Sequence, residues 1–341
     1  MEDTLQKITS LITSHLDATP EGKIPLIVIL GPTAVGKTAL SIGFAKQFNG
    51  EIISADSRQV YKGMDIGTDK ISVEDMQGVT HHMLDVVEPD EEFSAYDFKT
   101  RADQLIPEIH ARNHVPFIVG GTMLYIDAVV DNFDFGAVQP DEKLREELYE
   151  YEAEHGAEAL HKKLEELNPD AAAAIHPSKV PFVVRAIEKA RLRAEGQREQ
   201  RQASNQSIAA HDEAVPQYYT LKIGLIRPRE EIYDRINKRV DQQLVDGALE
   251  KEAKYFLEKY PHDLRSISGL GYRQFIPYFE GQIKDDGEKY SLEDVKDQLK
   301  KEIRHFAKRQ LSWWKKDSDI HWVNMSDKVC EGVMFQGVWI S

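Results

Sequence analysis

The chain has 341 residues, 41% of them hydrophobic and 30% charged, with a formal net charge of −15 and a single cysteine. This length suits one large domain carrying an insertion, or two domains; the lack of any apolar run near about 18 residues predicts no membrane span, and the lone Cys330 excludes an intramolecular disulfide or a cysteine zinc cluster, as expected of a reducing cytoplasm. The acidic total argues against nucleic acid only on average, since polyanion binding depends on where cations cluster, and two basic stretches, 185–201 and 296–316, run against it.

Residues 1–19 mix acidic and polar residues with short apolar steps, so no export signal is expected, and 1–23 reads as an N-terminal extension. The apolar run Pro25–Leu30 then leads into Gly31-Pro32-Thr33-Ala34-Val35-Gly36-Lys37-Thr38, which opens a helical pattern over 38–48. The spacing G-x-x-x-x-G-K-[ST] between a strand and a helix makes a phosphate cradle. Its glycines let the backbone curl so that N–H groups converge at the helix N-terminus. Lys37 can reach an outer phosphate, and the Thr38 hydroxyl can ligate a Mg²⁺ shared with phosphate oxygens. The motif says phosphate without saying which reaction.

A second apolar strand, 51–55, ends in Asp56-Ser57-Arg58-Gln59-Val60-Tyr61. A carboxylate at the C-terminal end of a strand beside the phosphate loop lies where α/β sheets bind ligands, which makes Asp56 the first candidate for chemistry. Capping a turn is the alternative. Residues 62–68 are rich in turn formers. His81-His82 precedes 83–87, whose loose alternation predicts a strand. Adjacent histidines on a strand point to opposite faces and form no metal site by themselves, so they are expected to be structural or to line substrate. Ser94 suits the N-cap of a helix over 94–113, with Phe98, Ala102, Leu105, Ile106 and Ile109 apolar. Strand 115–119 ends in Gly120-Gly121-Thr122, which suits close backbone approach to a ligand. Phosphate-loop motors place an acidic residue at such a strand end to hold Mg²⁺, and its absence argues against an ATPase.

From Pro140 the pattern turns to charged helices over 141–155, 156–167 and 181–195, punctuated by Asn168-Pro169 and His176-Pro177. We read 140–216 as an inserted helical subdomain whose last part, 197–216, is a polar, aperiodic loop. The sheet resumes at 218–226. A helix over 230–246 carries Ile232, Ile236, Val240 and Leu244 on one stripe, with Arg235 and Arg239 near it. The last helical stretch holds Phe306-Ala307-Lys308-Arg309-Gln310-Leu311-Ser312-Trp313-Trp314; aromatics among cations suit base stacking or, more commonly, core packing. The expected organisation is an α/β, P-loop NTPase-like core with a parallel sheet and C-terminal helices (24–139 and 217–325), the inserted helical subdomain, and a tail over 326–341.

In order and spacing, the phosphate loop, Ser54-Ala55 with the following 56–61 string, Asp65-Ile66-Gly67-Thr68, His81-His82, Gly120-Gly121-Thr122-Met123-Leu124-Tyr125 and Ala307-Lys308-Arg309-Gln310 resemble one family, the tRNA dimethylallyltransferases, over 24–322. The resemblance implies that the loop, with Mg²⁺ on Thr38 and with Arg229 or Arg235, grips the diphosphate of dimethylallyl diphosphate. It implies that Asp56 is the general base on N6 of the adenosine 3′ of the anticodon, that Thr122 orients this amine, and that Lys37 assists the leaving diphosphate. By the same resemblance Asp56, Ser57, Arg58, Gln59, Thr122, Arg145, Pro181, Arg185, Lys308, Arg309 and Gln310 would lie against the tRNA. The inserted helices would clamp the anticodon stem-loop of tRNAs that read codons beginning with U, and the enzyme would be a cytoplasmic monomer.

The sequence also departs from the family. Phe182 stands where relatives usually carry an arginine, and Ile303-Arg304 replaces a usual Thr-Arg. Three other readings stay open. A small-molecule kinase would use the same loop with ATP. A free adenine nucleotide could be the prenyl acceptor, although the long insertion argues against that. A nucleotide-dependent RNA-binding switch would leave Asp56 and Thr122 without a task.

Overall fold

The structure is a computed structural model that describes residues 2–133, 142–177, 180, 183–188, 190–191, 216–315, 317–326, 334–335 and 338–339. The expectations for Pro181, Phe182, residues 197–215 and Cys330 lie outside the described residues. The chain divides into two compact units, Met1–Phe133 with Ala214–Ser341, and Asp134–Glu213.

In the first unit, Pro25–Leu30 forms β1 with every residue buried, as an unbroken apolar run requires of a strand covered on both faces. With β2 (Gly50–Ala55), β3 (His81–His82), β4 (Val115–Gly120), β5 (Tyr219–Ile226) and β6 (Ile320–Asn324) it builds a six-stranded sheet in the order β3-β2-β4-β1-β5-β6. Every pairing in that sheet is parallel. The register aligns Leu30 with Gly120 and Gly120 with Ala55, so β1, β4 and β2 end level with one another. Whatever follows these three residues emerges side by side at the carboxyl edge of the sheet. That edge is where parallel sheets bind ligands.

The longer helices of this unit are α1 (Glu2–Asp17), α2 (Lys37–Gln47), α3 (Ala95–Ala111) and α4 (Met123–Val130) before the second unit. In that unit lie α5 (Glu142–His155), α6 (Ala157–Leu167) and α7 (Pro169–Ala174). The first unit resumes with α8 (Arg229–Gln243), α9 (Ala248–Lys259) and α10 (Leu292–Trp314). α3 begins at the expected Ser94 cap, whose side chain and that of Asp97 close a reciprocal capping box. α1 was not foreseen. It places Ile8 and Ile12, both fully buried, in the main core beside Ile27 and Ile223, and its His15 ring stacks on Tyr219 at 4.2 Å.

One expected strand is absent. Residues 83–87 do not form a strand, because Met83 (φ 66°) and Asp85 (φ 51°) adopt left-handed backbone, which breaks an extended run. His81 and His82 themselves form β3, pairing with Ile52 and Ile53. As the alternation of a strand requires, the two rings part company: His81 borders a cavity at the sheet edge, and His82 Nε2 meets Glu51 Oε2 at 2.6 Å. Glu51 is buried yet fully engaged, since Arg112 donates to both of its oxygens (3.1 and 2.9 Å) and His114 Nδ1 lies 2.7 Å from Oε1.

The second unit has its own core of Leu148, Leu160, Leu164, Val183 and Ile187 among others. Asn168 caps α7 by accepting from the Ala171 N–H at 3.1 Å, with Pro169 at the first helical position where its missing N–H costs nothing. Glu188, fully buried, binds Arg145 at 3.2 Å and also Arg185.

Candidate active site

The phosphate loop closes onto α2 through Gly36 at φ 110°, a left-handed conformation suited to glycine. Lys37 folds back over its own loop, its Nζ donating to the Gly31 and Pro32 carbonyls at 2.9 Å each. Burial pushes its ammonium down to about 8, against the pull of nearby Asp56. The loop is braced from outside as well: Arg235 donates to the Ala34 carbonyl at 2.6 Å and Arg227 to that of Val35 at 3.0 Å.

Asp56 follows directly on β2. Its Oδ1 accepts the backbone N–H groups of Arg58 (2.8 Å) and Gln59 (3.3 Å), while Oδ2 accepts no hydrogen bond from the described residues. One oxygen thus caps a turn, as one sequence reading of Asp56 expects, and the other is left without a hydrogen bond among the described residues. Thr122 stands across from it. Its hydroxyl oxygen accepts the Ser57 N–H at 2.9 Å, its N–H donates to the Ala55 carbonyl at 3.1 Å, and its hydroxyl proton is left to donate.

A cavity of about 300 Å³ opens where these loops meet, lined by Lys37, Thr38, Asp56, Asp69, Arg235 and Arg239 among others. Arg239 pairs with Asp69 at 2.9 Å, and its Nε is buried with no hydrogen-bond partner among the described residues. An orphaned guanidinium nitrogen in a cationic cavity marks a place for an anion. Arg229 is not part of it. That side chain lies beside Tyr233, with Nε 3.3 Å from the hydroxyl. Arg235 and Arg239 are four residues apart and share a face of α8, whereas Arg229 is rotated about 120° from Arg235 around the helix.

Several residues expected to touch RNA make hydrogen bonds that hold the loops together. Gln310, buried on α10, accepts the Thr33 N–H at 2.9 Å and donates to the Gly121 carbonyl at 2.8 Å. A Cβ at Gly121 would stand 2.3 Å from Gln310 Nε2, so a larger residue there would displace this amide. Gln59 accepts from Ser54 at 3.1 Å and donates to the Thr68 and Asp69 carbonyls at 3.2 Å. Arg58 is turned toward the carbonyls of Arg265 and Ser266. Lys308 and Arg309 do face solvent. Of the other cations expected on this helix, Lys300 pairs with Asp241 at 2.7 Å and Arg304 bonds Asn237 at 3.0 Å.

Two contributors escaped the sequence reading. Glu252 on α9 accepts the N–H groups of Ile66 and Gly67 at 2.9 Å each, anchoring the Asp65-Ile66-Gly67-Thr68 string. Nothing local to a charged helix distinguishes it. Asp69 had a signal, since it directly follows that turn-rich string.

A six-stranded parallel sheet with a phosphate loop on β1, and with a carboxylate and a threonine following β2 and β4 at the same edge, defines a P-loop α/β protein. The chain belongs to a particular family within that class, IPP transferase, whose family model matches residues 59–317. It is 44% identical over 306 residues to the tRNA dimethylallyltransferase of Halalkalibacterium halodurans, covering 89% of this chain and 92% of that one. Among solved structures it is similar to a tRNA isopentenylpyrophosphate transferase from Bacillus halodurans (42% identity, TM-score 0.64, 90% of this chain and 91% of that one). It is also similar to a eukaryotic dimethylallyltransferase acting on tRNA (29% identity, TM-score 0.72, 89% of this chain and 74% of that one).

Proposed function

We propose that the protein is a tRNA dimethylallyltransferase, moving the dimethylallyl group of dimethylallyl diphosphate to N6 of the adenosine 3′-adjacent to the anticodon in tRNAs that read codons beginning with U. The observation that carries this is the level ending of β1, β2 and β4, which sets a cationic phosphate loop and a carboxylate with a free oxygen around one cavity. Relatives and neighbours whose names specify tRNA favour RNA over a free nucleotide as acceptor, and prenyl transfer over a kinase or a binding switch.

The adenine amine is a poor nucleophile because its lone pair is delocalised into the ring. As N6 attacks C1 of the donor, the C1–O bond breaks and the diphosphate leaves with the bonding electrons. Asp56 Oδ2 takes the N6 proton, which is general-base catalysis. The Thr122 hydroxyl orients the amine. Lys37 leaves its own carbonyls for the diphosphate, and Arg235 and Arg239 complete a cationic cradle for the charge that gathers there. The adenosine must be extruded from its stack to reach this site.

Among the described residues no group of three or more His, Cys, Asp or Glu could cage a metal. The Thr38 hydroxyl at the mouth of the phosphate loop would be the protein oxygen to hold a Mg²⁺ brought in with the diphosphate, an ion that needs few protein ligands. When bound it would neutralise charge on the leaving group. In this reading the exposed Lys308 and Arg309 of α10 meet tRNA phosphates. In the second unit Arg145 and Arg185, both engaged by Glu188, are proposed to border the anticodon stem-loop.

The test incubates the protein with Mg²⁺, dimethylallyl diphosphate and unmodified tRNA, then weighs the digested nucleosides. The expected result is a prenyl mass gain on adenosine, lost with Asp56→Ala. Transfer to AMP but not to tRNA, or ATP consumption without prenylation, would overturn the proposal.

A further inference from the structure

The two adjacent tryptophans at the end of α10 take opposite roles. Trp314 is buried in the core, while Trp313 is 51% exposed. Exposure alone would be unremarkable, but this indole is fixed: its Nε1 donates to Asp127 Oδ2 at 2.6 Å. Asp127 lies on α4, the helix whose N-cap is Thr122. The indole is therefore pinned to a residue about 7.5 Å of helix rise beyond Thr122, the residue assigned to orient the acceptor amine.

Its surroundings are cationic. Trp313 borders an open cleft of about 900 Å³ together with Met123, His305, Lys308, Arg309 and Ser312. Neither Lys308 nor Arg309 forms an ion pair among the described residues, unlike Lys296 and Lys300 further up the same helix, which both reach Asp241. The cleft is lined by Met123, the residue after Thr122, and by α10, the same helix whose Phe306 and Gln310 line the active-site cavity. A rigid aromatic face beside unpaired cations is the arrangement that binds single-stranded nucleic acid, with bases stacking on the ring and phosphates meeting the cations.

We propose that Trp313 is a stacking platform for the base of a nucleotide flanking the acceptor adenosine, with Lys308 and Arg309 holding the adjoining phosphates. The proposal rests on the tRNA-transferase reading. Extrusion of the target base removes a stacking partner from its neighbour in the RNA loop. The exposed indole replaces that partner, so the platform stabilises the bound RNA with its adenosine turned out.

The test combines Trp313→Ala and Trp313→Phe with anticodon stem-loop RNAs carrying a single abasic site at each loop position in turn. Trp313→Ala is expected to raise the KM for RNA about tenfold to a hundredfold, the range for loss of one base–aromatic stack. Trp313→Phe recovers most of that loss, and the KM for dimethylallyl diphosphate stays within about twofold. At one loop position next to the acceptor, an abasic RNA makes wild type and Trp313→Ala indistinguishable. An unchanged KM for RNA in Trp313→Ala overturns the platform. So does a penalty that persists at every abasic position, or a change confined to oligomeric state in sedimentation, which would mark a protein contact. Should the wild type fail to prenylate RNA, the functional reading fails, and fluorescence anisotropy of the same RNAs with both proteins still decides the stacking.

Discussion

The Thr33 N–H of the phosphate loop donates to Gln310 Oε1 at 2.9 Å. Because the same amide donates from Nε2 to the Gly121 carbonyl at 2.8 Å, one buried side chain sets the spacing between the donor loop and the acceptor loop. Its orientation is dictated by its partners: an N–H needs the oxygen and a carbonyl needs the NH₂. Gln310→Met removes both bonds at similar volume. We expect kcat to fall about 100-fold, as for small misplacement of reacting groups, with RNA affinity within about threefold. Steady-state kinetics with each substrate saturating, alongside RNA binding, checks this split. A loss of RNA affinity at unchanged kcat would make Gln310 an RNA contact.

Asp56→Asn keeps an oxygen to cap the Arg58 and Gln59 N–H groups and removes the base. Single-turnover rates are expected to drop by about 10²–10⁴, with thermal stability close to wild type. A mutant that instead unfolds would assign the carboxylate a purely structural role.

The pH dependence of donor capture follows from Lys37. Its ammonium, pushed down to about 8 in the ligand-free site, loses its charge as pH rises past that value. The cradle then loses a cation facing an anionic donor. We expect kcat/KM for dimethylallyl diphosphate to decline above about pH 8 by up to tenfold per unit. Lys37→Ala should be slower throughout and lack that limb of the profile.

The arginines of α8 separate by face. Arg235→Gln and Arg239→Gln are each expected to raise the KM for the diphosphate donor by roughly 10- to 100-fold, the loss of a charged hydrogen bond. Arg229→Gln, directed at Tyr233, should leave it unchanged. Equal effects of all three would show a general field and not a built site.

Glu51 supplies a stability prediction. Its carboxyl is held down at about 2: burial opposes the charged form, but the hydrogen bonds from Arg112, His82 and His114 outweigh it. A carboxyl depressed by folding contributes stability that is complete above its unfolded value near 4.5 and is lost as pH falls toward 2. Glu51→Gln leaves three cationic or protonatable groups without their carboxylate, and should cost about 3 kcal/mol near neutral pH. Denaturant titrations from pH 7 to 3 are expected to show the wild type approaching the variant at the acid end.

The sequence by itself determined the local parts. A phosphate loop declares itself because consecutive N–H groups, a lysine and a hydroxyl must follow one another in the chain. The burial of strands and the capping of α3 by Ser94 likewise depend on neighbours a few residues away. The opposed faces of His81 and His82 follow from strand alternation alone. What only the tertiary structure decided is which polar side chains remain free. Arg58, Gln59 and Gln310 look like surface recognition groups in the sequence, and Trp313 looks like its neighbour Trp314. Their partners are Ser266, Thr68, Thr33 and Asp127, and most lie far away in the chain. The physical reason is that a polar group's role depends on whether a distant partner takes up its hydrogen bonds, and such partners leave no local periodicity. The level ending of β1, β2 and β4 is of the same kind: three segments distant in sequence become one site only because parallel pairing fixes their register.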